Sequence, residues 1–197
     1  MTVSPTLVAA PFFDELVEWL PGNDDPARPL VALSTITADG YPDTRHVLLS
    51  EFDEAGFYFH TDARSRKIAQ LTRLPRAAFT VAWPERGRQL VVLGDTETAP
   101  EPEALRAYAN RSPYLKTLAW VNSAEFAVLP IEERVEAWRT FDEGHESASL
   151  RPPVTWAGIL LRPTRVTLWH GHPATASQRT EYTLEADGTW ASSVLPG

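Results

Sequence analysis

The chain has 197 residues, 43% hydrophobic and 22% charged, ordinary values for a globular protein long enough to bury a real core. Its net charge of −8 argues against nonspecific binding to nucleic acid or to an anionic membrane surface. Cysteine is absent, which excludes disulfides and thiolate metal sites.

Apolar residues recur at helical spacing over residues 12–20, predicting an amphipathic helix. A loop rich in Pro, Gly and Asp follows. Residues 30–37 and 44–52 read as strands joined by the Asp39-Gly40 turn, and residues 57–61 as a third strand after a turn at Gly56. A helix opens at Ser65 and ends near Leu74-Pro75. Residues 77–83 and 88–98 are two further strands. The pattern then turns helical, with helices over residues 100–108, 115–121 and 130–138 and a loop over 144–153. Strands return over 156–161, 165–169, 180–184 and 189–194. Short, turn-linked strands with inserted helices predict a mainly β fold, a β-barrel with peripheral helices, in one domain spanning residues 1–197. Its parts are an N-terminal helix, a barrel core over about 29–98, a helical insert over about 100–143 and C-terminal strands over about 154–197. No stretch approaches the roughly 20 apolar residues of a membrane span. A signal-peptide pattern is not visible, so a cytoplasmic location is expected.

The most informative segment runs from Phe57 through His60-Thr61 into Ser65-Arg66-Lys67. Cations are badly placed in the first turn of a helix, whose dipole and free N–H groups favour anions. Ser65 as N-cap with Arg66 and Lys67 behind it makes sense if a phosphate sits there, and a solvated surface helix is the equal alternative. Alternation puts Arg45 on one face with Val47 and Leu49, so its charge needs a partner, either a carboxylate or a ligand phosphate. Gln89 shares a face with Val91 and Leu93, where an amide either reads the edge of a heterocycle or faces water at the barrel end. Trp169 and Arg179 flank a Gly-Pro turn and suit a ligand clamp or a subunit contact. His170 and His172 lack partners, so no metal is expected. No Ser-His-Asp triad or phosphate-cradling glycine loop is apparent, which leaves the chemistry to a cofactor.

Taken together these pieces resemble the pyridoxamine 5′-phosphate oxidase family. The residues that carry the likeness are Asp39-Gly40, Arg45-His46-Val47-Leu48-Leu49, Phe59-His60-Thr61, Ser65-Arg66-Lys67, Gln89 to Gly94, Ala119-Trp120-Val121, Trp156-Ala157-Gly158 and Leu168 to Gly171. The resemblance implies an FMN-binding split barrel, six-stranded, antiparallel and of Greek-key type, acting as a homodimer with FMN at the subunit interface. It implies cofactor contacts from Arg45, Val47, Leu48, His60, Thr61, Ser65, Arg66, Lys67 and Gln89, with Trp169 and Arg179 reaching the flavin from the partner. Departures from the family pattern are Ser50 in place of a substrate-contacting lysine, Thr175-Ala176-Ser177 in place of Arg-Leu-His, and Ala124-Glu125 in place of Gln-Ser. The segment from Tyr108 to Lys116 is also one residue shorter. Losing these charges removes bonds to a substrate phosphate that contribute about 1.5–3 kcal/mol each. The expectation is an FMN-dependent oxidoreductase for a different small aromatic or heterocyclic substrate, with Ser50, His46, Tyr108 and Arg111 as candidate substrate contacts. A non-catalytic flavin or deazaflavin binder and an authentic pyridoxamine 5′-phosphate oxidase are the alternatives.

Overall fold

A computed structural model describes residues 6–147 and 149–197. Helix α1 (Phe13–Trp19) precedes strands β1 (Leu30–Ile36), β2 (Pro42–Leu48), β3 (Glu51–Asp53) and β4 (Gly56–Asp62). Helix α2 (Arg66–Arg73) leads to β5 (Arg76–Trp83) and β6 (Arg88–Thr98). Four helices follow, α3 (Glu101–Ala109), α4 (Pro113–Val121), α5 (Ala124–Ala127) and α6 (Ile131–Gly144), and then β7 (Trp156–His170), β8 (Gln178–Leu184) and β9 (Trp190–Pro196). All pairings are antiparallel, in the order β2-β1-β5-β6-β7-β4-β3, with the β8-β9 hairpin attached to β7. The mainly β, split-barrel architecture expected from the sequence is therefore present. Six strands form its body, and β3, β8 and β9 extend it. Among the described residues no helix is long and apolar enough to cross a membrane.

Strand alternation builds the core. Val31 and Leu33, Phe79 and Val81, Leu90 and Val92, and Val166 and Leu168 all point inward, and α1 closes one side with Phe12, Leu16 and Trp19. Gln89 shares its face with Val91 and Leu93, as expected; it alternates with the inward Leu90 and lies half-buried on the outer face of β6.

Two differences from expectation position the site. Residues 44–52 are not one strand. At Leu49 the chain leaves β1, its N–H donating to Pro29 O (3.0 Å), and at Ser50 it joins β4, the N–H donating to Tyr58 O (2.8 Å). This change of partner puts Ser50 at a corner. Conversely, β7 runs unbroken through Pro163, because the register slips opposite it between Leu93 and Gly94. A Cβ on Gly94 would stand 2.1 Å from Arg162 O, so only glycine permits this close approach. Helix α6 continues to Gly144, beyond the expected residue 138, and α5 was not foreseen.

Candidate functional site

Two cavities meet at a common wall. The larger, about 450 Å³, is bounded by Thr61, Ser65 and Lys67 on one side and by Asn122, Ser123 and Glu125 on the other. The smaller, about 310 Å³, lies among Arg28, Leu48, Ser50 and Ser112. His60, Arg111 and Trp156 line both. Both volumes suit a small organic ligand, whose pockets run to roughly 300–1,000 Å³.

The wall is built in layers. The Trp156 indole donates from Nε1 to Ala104 O of α3 (2.9 Å), which fixes its plane. The His60 imidazole stacks on it at 5.0 Å between centroids and 6° between planes. His60 Nδ1 lies 2.8 Å from Ser50 Oγ, and Nε2 lies 3.2 Å from Glu103 Oε2. The His60 and Glu103 side chains are 1% and 6% exposed. Gly158 stands opposite His60 in the β4-β7 register. A Cβ there would sit 3.1 Å from Nε2 and 2.7 Å from the Ala99 Cβ, so glycine lets the ring lie close to the strand.

Arg111 lies with its guanidinium 4.5 Å from the Trp156 ring centroid. Burial brings it down to about 10, and among the described residues no carboxylate pairs with it. It is therefore a charged, desolvated cation facing both cavities, an arrangement that suits a ligand anion.

The head of α2 repeats this theme. Its first turn carries Arg66 and Lys67 and no acid. Lys67 Nζ donates to Thr61 Oγ1 (2.9 Å). Burial first, and then the positive charges of Arg45 and Arg66, hold the Lys67 ammonium below the usual lysine range. Ser65 does not cap the helix with its side chain, and its Oγ is buried without a partner. An orphaned hydroxyl beside a destabilised ammonium at a helix N-terminus fits a phosphate.

Arg45 behaves differently. Its guanidinium donates to Thr35 Oγ1 (2.7 Å) and Gln70 Oε1 (3.1 Å), and pairs with Asp43 at 2.8 Å. The Gln70 amide, followed by Arg45 and Arg66, holds the Asp43 carboxyl below its usual range despite the opposing effect of burial. Of the two partners open to Arg45, the structure supplies the carboxylate.

Known proteins share this framework. The model of the family described as pyridoxamine 5′-phosphate oxidase matches residues 12–150. A pyridoxine/pyridoxamine 5′-phosphate oxidase of Nostoc punctiforme is 32% identical over 160 residues, covering 81% of this chain and 75% of that protein. One of Caulobacter vibrioides is 34% identical, covering 98% and 88%. The chain belongs to the pyridoxamine 5′-phosphate oxidase family. Two solved structures show the same fold. One is a pyridoxamine 5′-phosphate oxidase-related, FMN-binding protein of Nostoc punctiforme (TM-score 0.75, 20% identity, covering 96% of this chain and 98% of that one). The other is PhzG of Burkholderia lata in complex with tetrahydrophenazine-1-carboxylic acid (TM-score 0.71, 24% identity, covering 86% and 83%).

Within one chain the residues that the family pattern singles out fall into three groups. His60, Thr61, Ser65, Lys67 and Arg111 meet in the larger cavity, and Leu48 and Ser50 join His60 and Arg111 in the smaller. Arg45, Arg66 and Val47 line neither cavity: Arg66 is exposed, Arg45 is half-buried and Val47 packs against the core. Gln89, Trp169 and Arg179 form one row across β6, β7 and β8, apart from both cavities. Two candidate substrate contacts lie outside both cavities of the single chain. His46 is exposed on β2 and lines neither cavity. Tyr108 is 2% exposed, edge-on to Trp156, with its hydroxyl accepting from Trp120 Nε1 (3.1 Å), so it backs the wall from behind.

Sequence reasoning missed Glu103 and Arg28. Glu103 looked like an ordinary acid in a helix's first turn. Arg28 sits in a loop and donates to the carbonyls of Leu49 (3.1 Å) and Gly22 (2.6 Å). The position of Trp156 in the family pattern was visible, but its stacking on His60 was not.

Proposed function

We propose that this protein is an FMN-dependent oxidoreductase acting on a small ring-shaped substrate other than pyridoxine 5′-phosphate. The observation that carries this reading is the head of α2, where the buried, unbonded Ser65 Oγ sits one residue from the helix and two from the half-desolvated Lys67. Those residues would hold the FMN phosphate, with Arg66 adding long-range charge. The flavin, when bound, supplies the hydride chemistry. The chain's own part is to orient the ring, exclude water and present Arg111 to an acidic group of the substrate. Ser50, standing where the family carries a lysine, favours a substrate without the phosphate that such a lysine would grip.

The family resemblance also supports a homodimer in which Trp169 and Arg179 of one subunit complete the flavin site of the other. The separation of the Gln89-Trp169-Arg179 row from both cavities within a single chain is consistent with that arrangement.

Visible absorption during titration with FMN tests the cofactor, and light scattering tests the dimer. The expected result is a bound flavin near one per subunit. It is then bleached anaerobically by a partly reduced ring such as tetrahydrophenazine-1-carboxylic acid in preference to pyridoxine 5′-phosphate. No binding at excess FMN would sink the reading. Bleaching by pyridoxine 5′-phosphate alone would restore the authentic oxidase.

A further inference from the structure

Ser50, His60 and Glu103 come from three separate elements, the β2-β3 corner, β4 and α3, yet form a continuous hydrogen-bonded chain. One end is sealed, with Glu103 5% exposed and placed in the first turn of α3, where the helix dipole favours a negative charge. The other end is open, because Ser50 lines the smaller cavity. Direction follows from the donor inventory. With Glu103 ionised, as the helix dipole favours, its carboxylate only accepts, and the His60 proton then sits on Nε2, facing Glu103. Nδ1 is then an acceptor, and the Ser50 hydroxyl must donate to it. That leaves the Oγ lone pairs turned toward the cavity. The ring cannot swing away to break this order, since Trp156 stacks on it and Gly158 lies against its edge.

We propose that Ser50, His60 and Glu103 form a proton relay that receives the proton of a ligand hydroxyl or ring amine bound in the smaller cavity. The ligand O–H or N–H bond breaks and its proton passes to Ser50 Oγ. The Ser50 O–H bond breaks in turn and its proton passes to His60 Nδ1. The resulting imidazolium faces the Glu103 carboxylate. The electron pair left on the ligand atom closes a double bond as the neighbouring carbon gives up hydride, and the oxidant is the flavin of the reading above, on which this step rests. Other charged or titratable groups near the relay include Arg111, which lines both cavities, Asp24, Asp25, Arg28 and Glu51, which line the smaller one, Lys67, which lines the larger, and Tyr58 and Arg106, which feel the Glu103 charge. Ser50 thus has a role where the family lysine is missing.

The test is nitrogen-15 NMR of the histidine side chains in the full-length protein, as wild type, S50A and E103Q, with and without FMN. The expected result is a neutral His60 protonated at Nε2, an Nδ1 resonance that shifts in S50A, and FMN affinity unchanged by that substitution. A His60 protonated at Nδ1, or an Nδ1 signal indifferent to S50A, overturns the relay, because Ser50 then has no base behind it. Flavin bleaching by the two ring compounds named above gives the rate. Loss of general-base catalysis predicts a fall of about 10²–10⁴-fold in S50A and in E103Q. Wild-type turnover with an unchanged rate in S50A also overturns the relay. Wild-type protein that binds no FMN defeats the oxidoreductase reading alone, and the NMR result then still decides the relay.

Discussion

The two ends of the site are built on opposite principles. The His60-Trp156 wall is rigid, with the ring nitrogens of His60 and Trp156 bonded within the chain and the two rings stacked, and glycine at 158 leaves them room, while among the described residues Arg111 has no carboxylate partner and Glu103 Oε1 no hydrogen-bond partner. The head of α2 is unfinished, with a hydroxyl lacking a partner and an ammonium that burial and like charges disfavour. Arg45 lies close enough to act on Lys67 but is already bound to Asp43, Thr35 and Gln70. Satisfied groups hold a geometry, whereas unsatisfied groups wait for a ligand. On the proposed reading, the wall orients a reacting ring and the cradle grips an anion, which call for these different treatments.

Removing the wall should therefore cost folding stability, and removing the cradle should cost affinity alone. Trp156→Ala deletes the surface on which His60 and Arg111 rest, and should destabilise the protein by about 2–3 kcal/mol in chemical denaturation. Lys67→Ala should leave the melting curve close to wild type while weakening FMN about 10- to 100-fold in fluorescence titration, the worth of one charge-assisted bond. Equal stability losses in the two variants would erase the distinction between wall and cradle.

The pH dependence sharpens the same contrast. Lys67 is held below its ordinary value in the folded chain, so between that lowered value and the ordinary 10.5 the unfolded chain binds more protons. Stability without ligand should rise with pH across that window. FMN affinity should move the other way, falling as Lys67 loses its proton at a pH below the usual lysine range. Lys67→Arg, which stays charged, should flatten that alkaline fall, as isothermal titration across pH would show.

How much of this was legible depended on the range of the signal. The cradle was readable because Ser65-Arg66-Lys67 conflicts with the helix dipole within three consecutive residues. The wall was not, because His60 and Glu103 are 43 positions apart and meet only through the β4-β7 pairing and the docking of α3. Alternation correctly separated Gln89, Val91 and Leu93 from Leu90 and Val92, but periodicity cannot say which of two faces turns inward. Pro163 looked like a strand end because the register slip that accommodates it depends on Gly94, on another strand. The break in residues 44–52 carries no Gly or Pro at all. It is a change of partner, visible only once β4 is in place.

The smallest effect belongs to Glu125, on the rim of the cradle. Its carboxylate lines the larger cavity opposite Lys67 and is fully exposed. Its own backbone N–H, the Ser123 hydroxyl and the nearby Arg64 hold it below the usual carboxylate range, so it is charged at neutral pH. A bound phosphate would be repelled by it, but water and salt screen the repulsion. Arg64 offsets part of the charge but is itself engaged by Asp62 at 2.7 Å. Glu125→Gln should therefore tighten FMN by only about twofold at low salt, and the gain should vanish at high ionic strength. A large, salt-resistant gain would mean that Glu125 is drawn into the site when the flavin binds, and that the cradle closes more tightly than this structure shows.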